Sequence, residues 1–299
     1  MNFKFNKLTI WTKLLILISF ILIGFSIFSV KHEGFKNNKS FSFSEGPFIY
    51  DGFYSTIYDI LVYNEIKNEY EIGQIIDNTM PTQESVILDI GSGTGHHVGL
   101  LQEKGFNVIG IDDSTDMIIQ SKNNYPNGNF KKGNAINDNL FNNQTFTHII
   151  CMYFTIYYIE DKQRFFRNAM NWLMPGGYLV IHLVDRDMFD PILPPANPLV
   201  IFSPQRYAKE RITKSKIKFE QFSYTANFEL DNKSNVAKFK EKFEFYDGMV
   251  KKQEHKMFMP SHNDIISMAQ DIGFILHGVI DLINSGYEYN HLYIFVKPN

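Results

Sequence analysis

The stretch that most constrains this chain is VILDIGSGTGHH, Val86 to His97. An apolar run ends in an acid, and glycines follow at alternate positions, Gly91, Gly93 and Gly95. That pattern predicts a buried strand that stops where backbone must come close to something else. Downstream, apolar runs alternate with helical patterns. SVILDIG is followed by HHVGLLQEKG, closed by Gly105, and NVIGIDD by STDMIIQSKNN, with Ser114 as its N-cap. NFKKGNA holds a short third strand, FTHIICMYF a fourth, DKQRFFRNAMNWL a helix, and YLVIHLV a fifth strand after the turn PGG. Strands alternating with helices imply a parallel sheet with helices on both faces.

After Asp185 the pattern changes. FDPILPPANPLV carries four prolines and excludes regular helix. Residues 217–250 alternate apolar and polar, which predicts antiparallel strands joined at DNKSN. SHNDIISMAQDIGF reads as a capped helix closed by Gly273, and ILHGVIDLINSGYEYNHLYIFVKP as two final strands. Before the sheet, STIYDILVYNEIKNEYEIGQIIDNTM reads as helical and stops at Pro81. The expected fold is α/β, a doubly wound, mostly parallel, seven-stranded Rossmann-like sheet. An antiparallel β cap is inserted at about 187–258, and one transmembrane helix precedes the domain.

That helix is expected from Leu14–Val30, 17 uncharged residues between Lys13 and Lys31. At 1.5 Å per residue they span about 25 Å, near the lower end for a membrane crossing. Trp11 and the flanking lysines suit the two interfaces. The rivals are a cleaved signal peptide, whose small-residue cleavage pattern is poor here, and a buried core helix, which the lack of a polar face disfavours. The reading is an anchor over 1–30, a polar linker over 31–47 and a catalytic domain over 48–299, with single-pass membrane localisation. Lysines on both sides leave the orientation open.

A net charge of −3 with a pI near 6.3 argues against nucleic acid as partner. One cysteine, Cys151, excludes an intramolecular disulfide and a cysteine-rich zinc site. No His/Cys/Asp spacing marks a metal site.

Open α/β sheets bind ligands at the carboxyl ends of their strands. DIGSGTG stands at one such end. Asp112 stands at the next, 17 residues past Gly95, where a carboxylate suits the hydroxyls of a ribose. A nicotinamide dinucleotide wants G-x-G-x-x-G, whereas here the spacing is G-x-G-x-G and His96 holds the third glycine's place. Asp89 would repel a pyrophosphate and tolerate a ligand bearing an ammonium and a sulfonium. No G-K-[ST] follows, so a Walker loop is excluded.

At these residues the chain resembles the class I S-adenosylmethionine-dependent methyltransferases, over about Tyr50 to Val184 and more loosely the C-terminal strand pair. VILDIGSGTG is similar to the family's first motif and VIGIDDSTDM to its second. The resemblance implies that Asp89, Gly91, Gly93 and Gly95 form the cofactor loop, that Asp112 holds the ribose and that Met117 packs on adenine. GNA stands where many members have G-D-A, so Asn134 and Ala135 join the cofactor site. Cys151, at the end of the fourth strand, is counted with it, and its plain role is a small buried side chain. A narrower resemblance, in YSTIYDIL, GTGHH, CMYFTIYYI and the β excursion, is to small-molecule N-methyltransferases of the sugar-amine and glycine kind. It implies a helical lid and a β cap over the acceptor, with Tyr58 in the lid.

Tyr54, Tyr58 and Tyr70 would offer ring faces to a sulfonium. His182, at the carboxyl end of the fifth strand beside Asp185, is the candidate base, with Tyr58 as second catalytic position. His255 and His262 lie in the excursion and rank behind them. The expected function is methyl transfer from S-adenosylmethionine to nitrogen or oxygen of a small molecule, with the membrane as a partner through the anchor. The alternatives are an inactive cofactor- or partner-binding module, a methyltransferase acting on lipid or protein, and a nicotinamide oxidoreductase.

Overall fold

The computed structural model describes residues 41–196 and 204–299, together with Thr9 and Trp11. The chain divides into two units, Met1–Lys39 and Ser40–Asn299. The account below concerns the second.

The glycine-flanked apolar run forms β2 (Val86–Ile90), an interior strand of a seven-stranded sheet. Its neighbours are β3 (Asn107–Asp112) and β5 (Phe146–Cys151), both parallel to it. β4 (Phe130–Lys132) extends the sheet beyond β3. On the other side come β6 (Leu173–Val184), β12 (Asn290–Val296) and β11 (Ile275–Asp281). The order is β11-β12-β6-β5-β2-β3-β4, and β12 alone runs against its neighbours. The chain winds outward from β2 through β3 to β4, then returns to β5 on β2's other edge. That reversal opens a crevice at the carboxyl ends of β2, β3 and β5. The expected turn PGG is absorbed into β6, where Gly176 takes a φ of +73°.

Helices cover both faces. Isoleucines and leucines of alternate parity on the central strands split into two apolar layers. Leu88, Ile149 and Phe165 pack on one side, Ile87, Val98 and Ile150 on the other. The helical region expected up to Pro81 is two helices, α1 (Gly52–Val62) and α2 (Glu65–Thr79). The break comes at Asn64, whose extended backbone and side-chain oxygen cap α2 by accepting from Lys67 N–H at 3.0 Å. α3 (His96–Glu103), α4 (Thr115–Asn124), α5 (Thr155–Tyr158), α6 (Lys162–Trp172) and α7 (His262–Ile272) complete the set. α7 begins with a capping box between Ser261 and Asp264.

A second sheet stands over the crevice. β7 (Lys214–Lys218), β8 (Phe222–Asp231), β9 (Val236–Phe245) and β10 (Val250–Phe258) form an antiparallel meander. Alternation sends Phe222, Tyr224, Ala226 and Phe228 of β8 inward, and on β10 it buries Lys251, Gln253, His255 and Met257. Residues 41–45, expected in a linker, form β1 (Phe41–Glu45), which pairs parallel to β10 at the sheet's edge.

The expected transmembrane helix and single-pass membrane localisation are corrected. Among the described residues no helix is long and apolar enough to cross a membrane. The longest of these, α2, has 15 residues and carries five charged ones, so it is both too short and too polar for a hydrocarbon core of about 30 Å. The run Leu14–Val30 lies outside the described residues.

Candidate active site

The glycine loop leaves β2 by folding onto the end of β3. The N–H groups of Gly91 and Ser92 both donate to the Ile111 carbonyl, at 2.8 and 2.9 Å. All three glycines take positive φ, +71° at Gly91, +53° at Gly93 and +94° at Gly95. They do different work. A Cβ on Gly91 would lie 2.4 Å from Thr155 Cγ2, and one on Gly95 2.7 Å from Phe130 Cζ. A Cβ on Gly93 would meet nothing nearer than Tyr58 Cε1 at 3.9 Å, so the space before it is left for something other than protein.

Asp112 is fastened beside this loop. Its two carboxylate oxygens accept from the N–H groups of Gly93 at 3.0 Å and Ser114 at 2.9 Å. Burial pushes its pKa up to about 6 despite those donors. The lid is tied to the same loop, because Thr94 Oγ1 donates to Asp59 of α1 at 2.6 Å. This holds Tyr58, the neighbouring residue, over Gly93.

A cavity of about 890 Å³ opens in front of the loop. Gly91, Gly93, Asp112, Met117, Asn134 and Ala135 form its sheet side. Tyr50, Tyr54 and Tyr58 from the N-terminal segment face them, with Tyr158 and His255 beside these rings. Asn134 is held in place by its own Nδ2–H, which donates to Asp113, and by its Oδ1, which accepts from Ile136 N–H.

The other expected site residues lie outside the cavity wall. Gly95 serves as the N-cap of α3. Asp89 is buried beneath the loop, 1% exposed, and neither carboxylate oxygen has a partner. Burial raises its pKa to about 6. Cys151 is fully buried, and burial pushes its thiol far above the usual range, so it packs as a small apolar side chain. His182 sits behind Tyr153 and Phe154, with Nε2 3.0 Å from Asn290 Oδ1. Burial lowers its pKa to about 3, which keeps it neutral and away from an acceptor. Tyr70 is outside the wall as well, and its hydroxyl accepts from Asn284 Nδ2 at 3.4 Å. Among the described residues no group of three or more His, Cys, Asp and Glu side chains could hold a metal ion.

Two polar clusters at the cavity, built on Lys67–Glu71 and on Glu241, were not read from the sequence, which singled out Tyr54 and His255 among their members. Lys67 of α2 lines the cavity between the rings of Tyr153 and Tyr287, at 5.0 and 5.3 Å from their centroids, and pairs with Glu71 at 2.5 Å. Glu71 also meets His97 Nε2 at 3.2 Å. Burial alone would raise Glu71, but Lys67 and His97 together bring its pKa down to about 2. The second cluster is on the cap. Glu241 Oε1 accepts from the hydroxyls of Tyr54 at 3.2 Å and Tyr224 at 2.5 Å. Its Oε2 accepts from Gln253 Nε2 at 2.5 Å and meets His255 Nε2 at 2.6 Å. Burial again opposes ionisation, and the His255, Tyr224 and Gln253 donors hold Glu241 below the ordinary carboxylate range. Its sequence signal was only the i,i+2 alternation of β9, which does not say which parity faces inward.

Residues 88–181 match the family model described as a methyltransferase domain. A putative methyltransferase of Invertebrate iridescent virus 6, 235L, is 30% identical over 109 residues, 36% of this chain. The matched segment spans 40% of that relative's length. The S-adenosylmethionine-dependent methyltransferase from Clostridium acetobutylicum superposes with a TM-score of 0.61 at 15% identity, over 83% of this chain and 97% of that one. CcbJ methyltransferase from Streptomyces caelestis gives 0.62 at 14% identity, over 82% and 96%. The sugar N-methyltransferase KedS8 from Streptoalloteichus gives 0.57 at 16% identity, over 79% and 88%. At these identities the solved structures establish a shared fold.

Proposed function

We propose that this chain, which carries an S-adenosylmethionine-dependent class I methyltransferase domain, moves a methyl group to nitrogen or oxygen of a small molecule held between lid and cap. The observation that carries this reading is one cavity shared by the loop Gly91–Gly93, the carboxylate of Asp112, the tyrosines Tyr50, Tyr54, Tyr58 and Tyr158, and His255 of the cap.

The residues present fit the cofactor. Gly93 leaves a side chain's worth of room, and Asp112 keeps lone pairs free for ribose hydroxyls after its two backbone bonds. Met117, Asn134 and Ala135 would frame the adenine, and Lys67 offers a cation to the carboxylate of the methionyl part. Asp89, buried and unpaired, supplies negative charge behind a loop that receives a cationic ligand. The bound cofactor supplies an electrophilic methyl group on a sulfonium. Everything else falls to the chain, which must align a nucleophile and keep water out. The ring faces of Tyr50, Tyr54 and Tyr58 favour a nearby cation by roughly 0.5–2 kcal/mol each. A small acceptor suits the enclosed position under the β sheet, and the sugar N-methyltransferase named above, similar in fold, supports that class.

Calorimetric titration of the full chain with S-adenosylmethionine, S-adenosylhomocysteine and NAD tests the cofactor. The first two are expected to bind, and binding of NAD alone would overturn the assignment. Transfer of a tritiated methyl group to a panel of amino sugars, amino alcohols and their matched polyols tests the acceptor. Methylation confined to a protein or lipid fraction would refute a small-molecule substrate.

A further inference from the structure

We propose that Tyr158, His255 and Glu241 form a proton relay that neutralises the acceptor before transfer, which makes the acceptor an amine that arrives protonated. This rests on the methyltransferase reading above and names its substrate class.

The geometry is a continuous chain from cavity to buried carboxylate. The Tyr158 hydroxyl lies 2.7 Å from His255 Nδ1, and His255 Nε2 lies 2.6 Å from Glu241 Oε2. Glu241 is 2% exposed and takes four donors, which fixes it as a carboxylate that only accepts. His255 therefore carries its proton on Nε2, and Nδ1 presents a lone pair to the Tyr158 O–H. This tautomer is assigned from the network. Tyr158 and His255 both line the cavity, opposite the glycine loop.

A fold does not require this arrangement. Most other inward positions of the cap sheet are apolar, among them Phe222, Ala226, Phe228, Ala237, Phe243 and Met257, with Lys251 the other buried charge, paired with Asp51. Replacing a whole buried charged cluster by well-packed apolar side chains is often neutral or stabilising, so a carboxylate–imidazole pair kept here calls for a use. The groups facing the His255 ring are Tyr50, Tyr54, Tyr158, Glu241 and the apolar Phe239. Burial pushes all three tyrosines well above 10, so Glu241 is the charge that an imidazolium at His255 would meet.

The step balances within these groups. An N–H bond of the acceptor ammonium breaks and its proton passes to the Tyr158 oxygen. The Tyr158 proton passes to His255 Nδ1, and the imidazolium is held against the Glu241 carboxylate. The freed nitrogen lone pair forms the N–C bond to the methyl carbon, and the C–S bonding pair stays on sulfur. After product leaves, His255 returns its proton to solvent. An ammonium, with a pKa of roughly 8–10, can lose a proton to an imidazole held against a carboxylate, whereas an alcohol, at roughly 16, cannot.

The test uses the full chain, tritiated cofactor and the panel of amines with matched alcohols. The expected result is transfer to amines and not to their alcohol partners. For the best amine, His255→Gln and Tyr158→Phe each lower kcat/KM about 100-fold at pH 7. The loss shrinks to within threefold at pH 9.5, where more of the amine arrives uncharged, and affinity for S-adenosylhomocysteine stays within twofold. Tyr158→Phe keeps the ring and so separates the relay from packing. A loss equal at both pH values, no loss, or transfer to alcohols instead would overturn the relay while leaving the methyltransferase intact. A chain that binds no cofactor or methylates no panel member would overturn the underlying reading and the relay with it.

Discussion

Asp89→Asn removes a charge and nearly nothing else. Asp89 lies under the glycine loop, 1% exposed, with both oxygens unpaired. Burial raises its pKa from 3.8 to about 6, with Asp112 and Glu71 adding to the rise and His97 opposing it. A carboxyl raised by folding contributes stability that is fully present below its unfolded pKa and is lost as pH climbs through the folded one. A rise of about two pH units, at 1.36 kcal/mol each, is worth about 3 kcal/mol in full, of which about 2.5 kcal/mol is lost from the cofactor-free protein between pH 4, just above the unfolded value, and pH 7.5. Asparagine does not ionise, and the cost of burying its unpaired amide is the same at both pH values. The difference in unfolding free energy, variant minus wild type, should therefore move in the variant's favour by about 2.5 kcal/mol across that window. Urea unfolding of both full-length proteins at pH 4, 5, 6 and 7.5 measures it. A difference constant to within about 0.5 kcal/mol would refute the argument that Asp89 is a buried, uncompensated acid. Saturating S-adenosylmethionine should stabilise wild type more than the variant at pH 7.5, because the cation then offsets the charge.

Gly91→Ala should lower Tm by several degrees, because its Cβ would press on Thr155 at 2.4 Å from a φ of +71°. Gly93→Ala, with nothing nearer than 3.9 Å but a φ of +53°, should lose only the roughly 1–2 kcal/mol of left-handed backbone, less than Gly91→Ala, and lose cofactor affinity in calorimetry; a larger stability loss with affinity kept would mean that Gly93 is only a turn residue. Asp112→Ala should weaken cofactor binding roughly 10- to 100-fold by removing charge-assisted bonds to the ribose, and unchanged affinity would remove that assignment. Lys67→Met leaves Glu71 buried without its main partner and should destabilise the chain by about 3–5 kcal/mol in urea unfolding at pH 7. Glu71 titrates at about 2 in the wild type, so its contribution is present above 4.5 and lost as pH falls toward 2; the Lys67→Met deficit should narrow at pH 3.

Much of the cofactor side was legible in the chain, because its signals are local. Glycines at 91, 93 and 95 announce backbone conformations that other residues resist, and the structure places all three at positive φ. Asp112 was readable because a strand's tip can be counted from the preceding helix. The acceptor side was not legible. His182 looked well placed because it lies near the end of the fifth strand, but the pleat turns its ring into the protein behind Tyr153. His255 ranked behind it and proves to face the cavity.

The sequence by itself thus determined the periods of strand and helix, the glycine turn after the strand Val86–Ile90 and the acid at the next strand's tip, since each depends on sterics within a few residues. Only the tertiary structure decided the partners of Glu241, the strand role of residues 41–45 and the choice between histidines. Tyr158 and His255 are 97 residues apart, and β1 pairs with a strand that begins at Val250. A shift of one residue in the pairing of β10 with β9, where His255 stands opposite Phe239, would turn His255 to the other face of the cap sheet, and no local propensity specifies it.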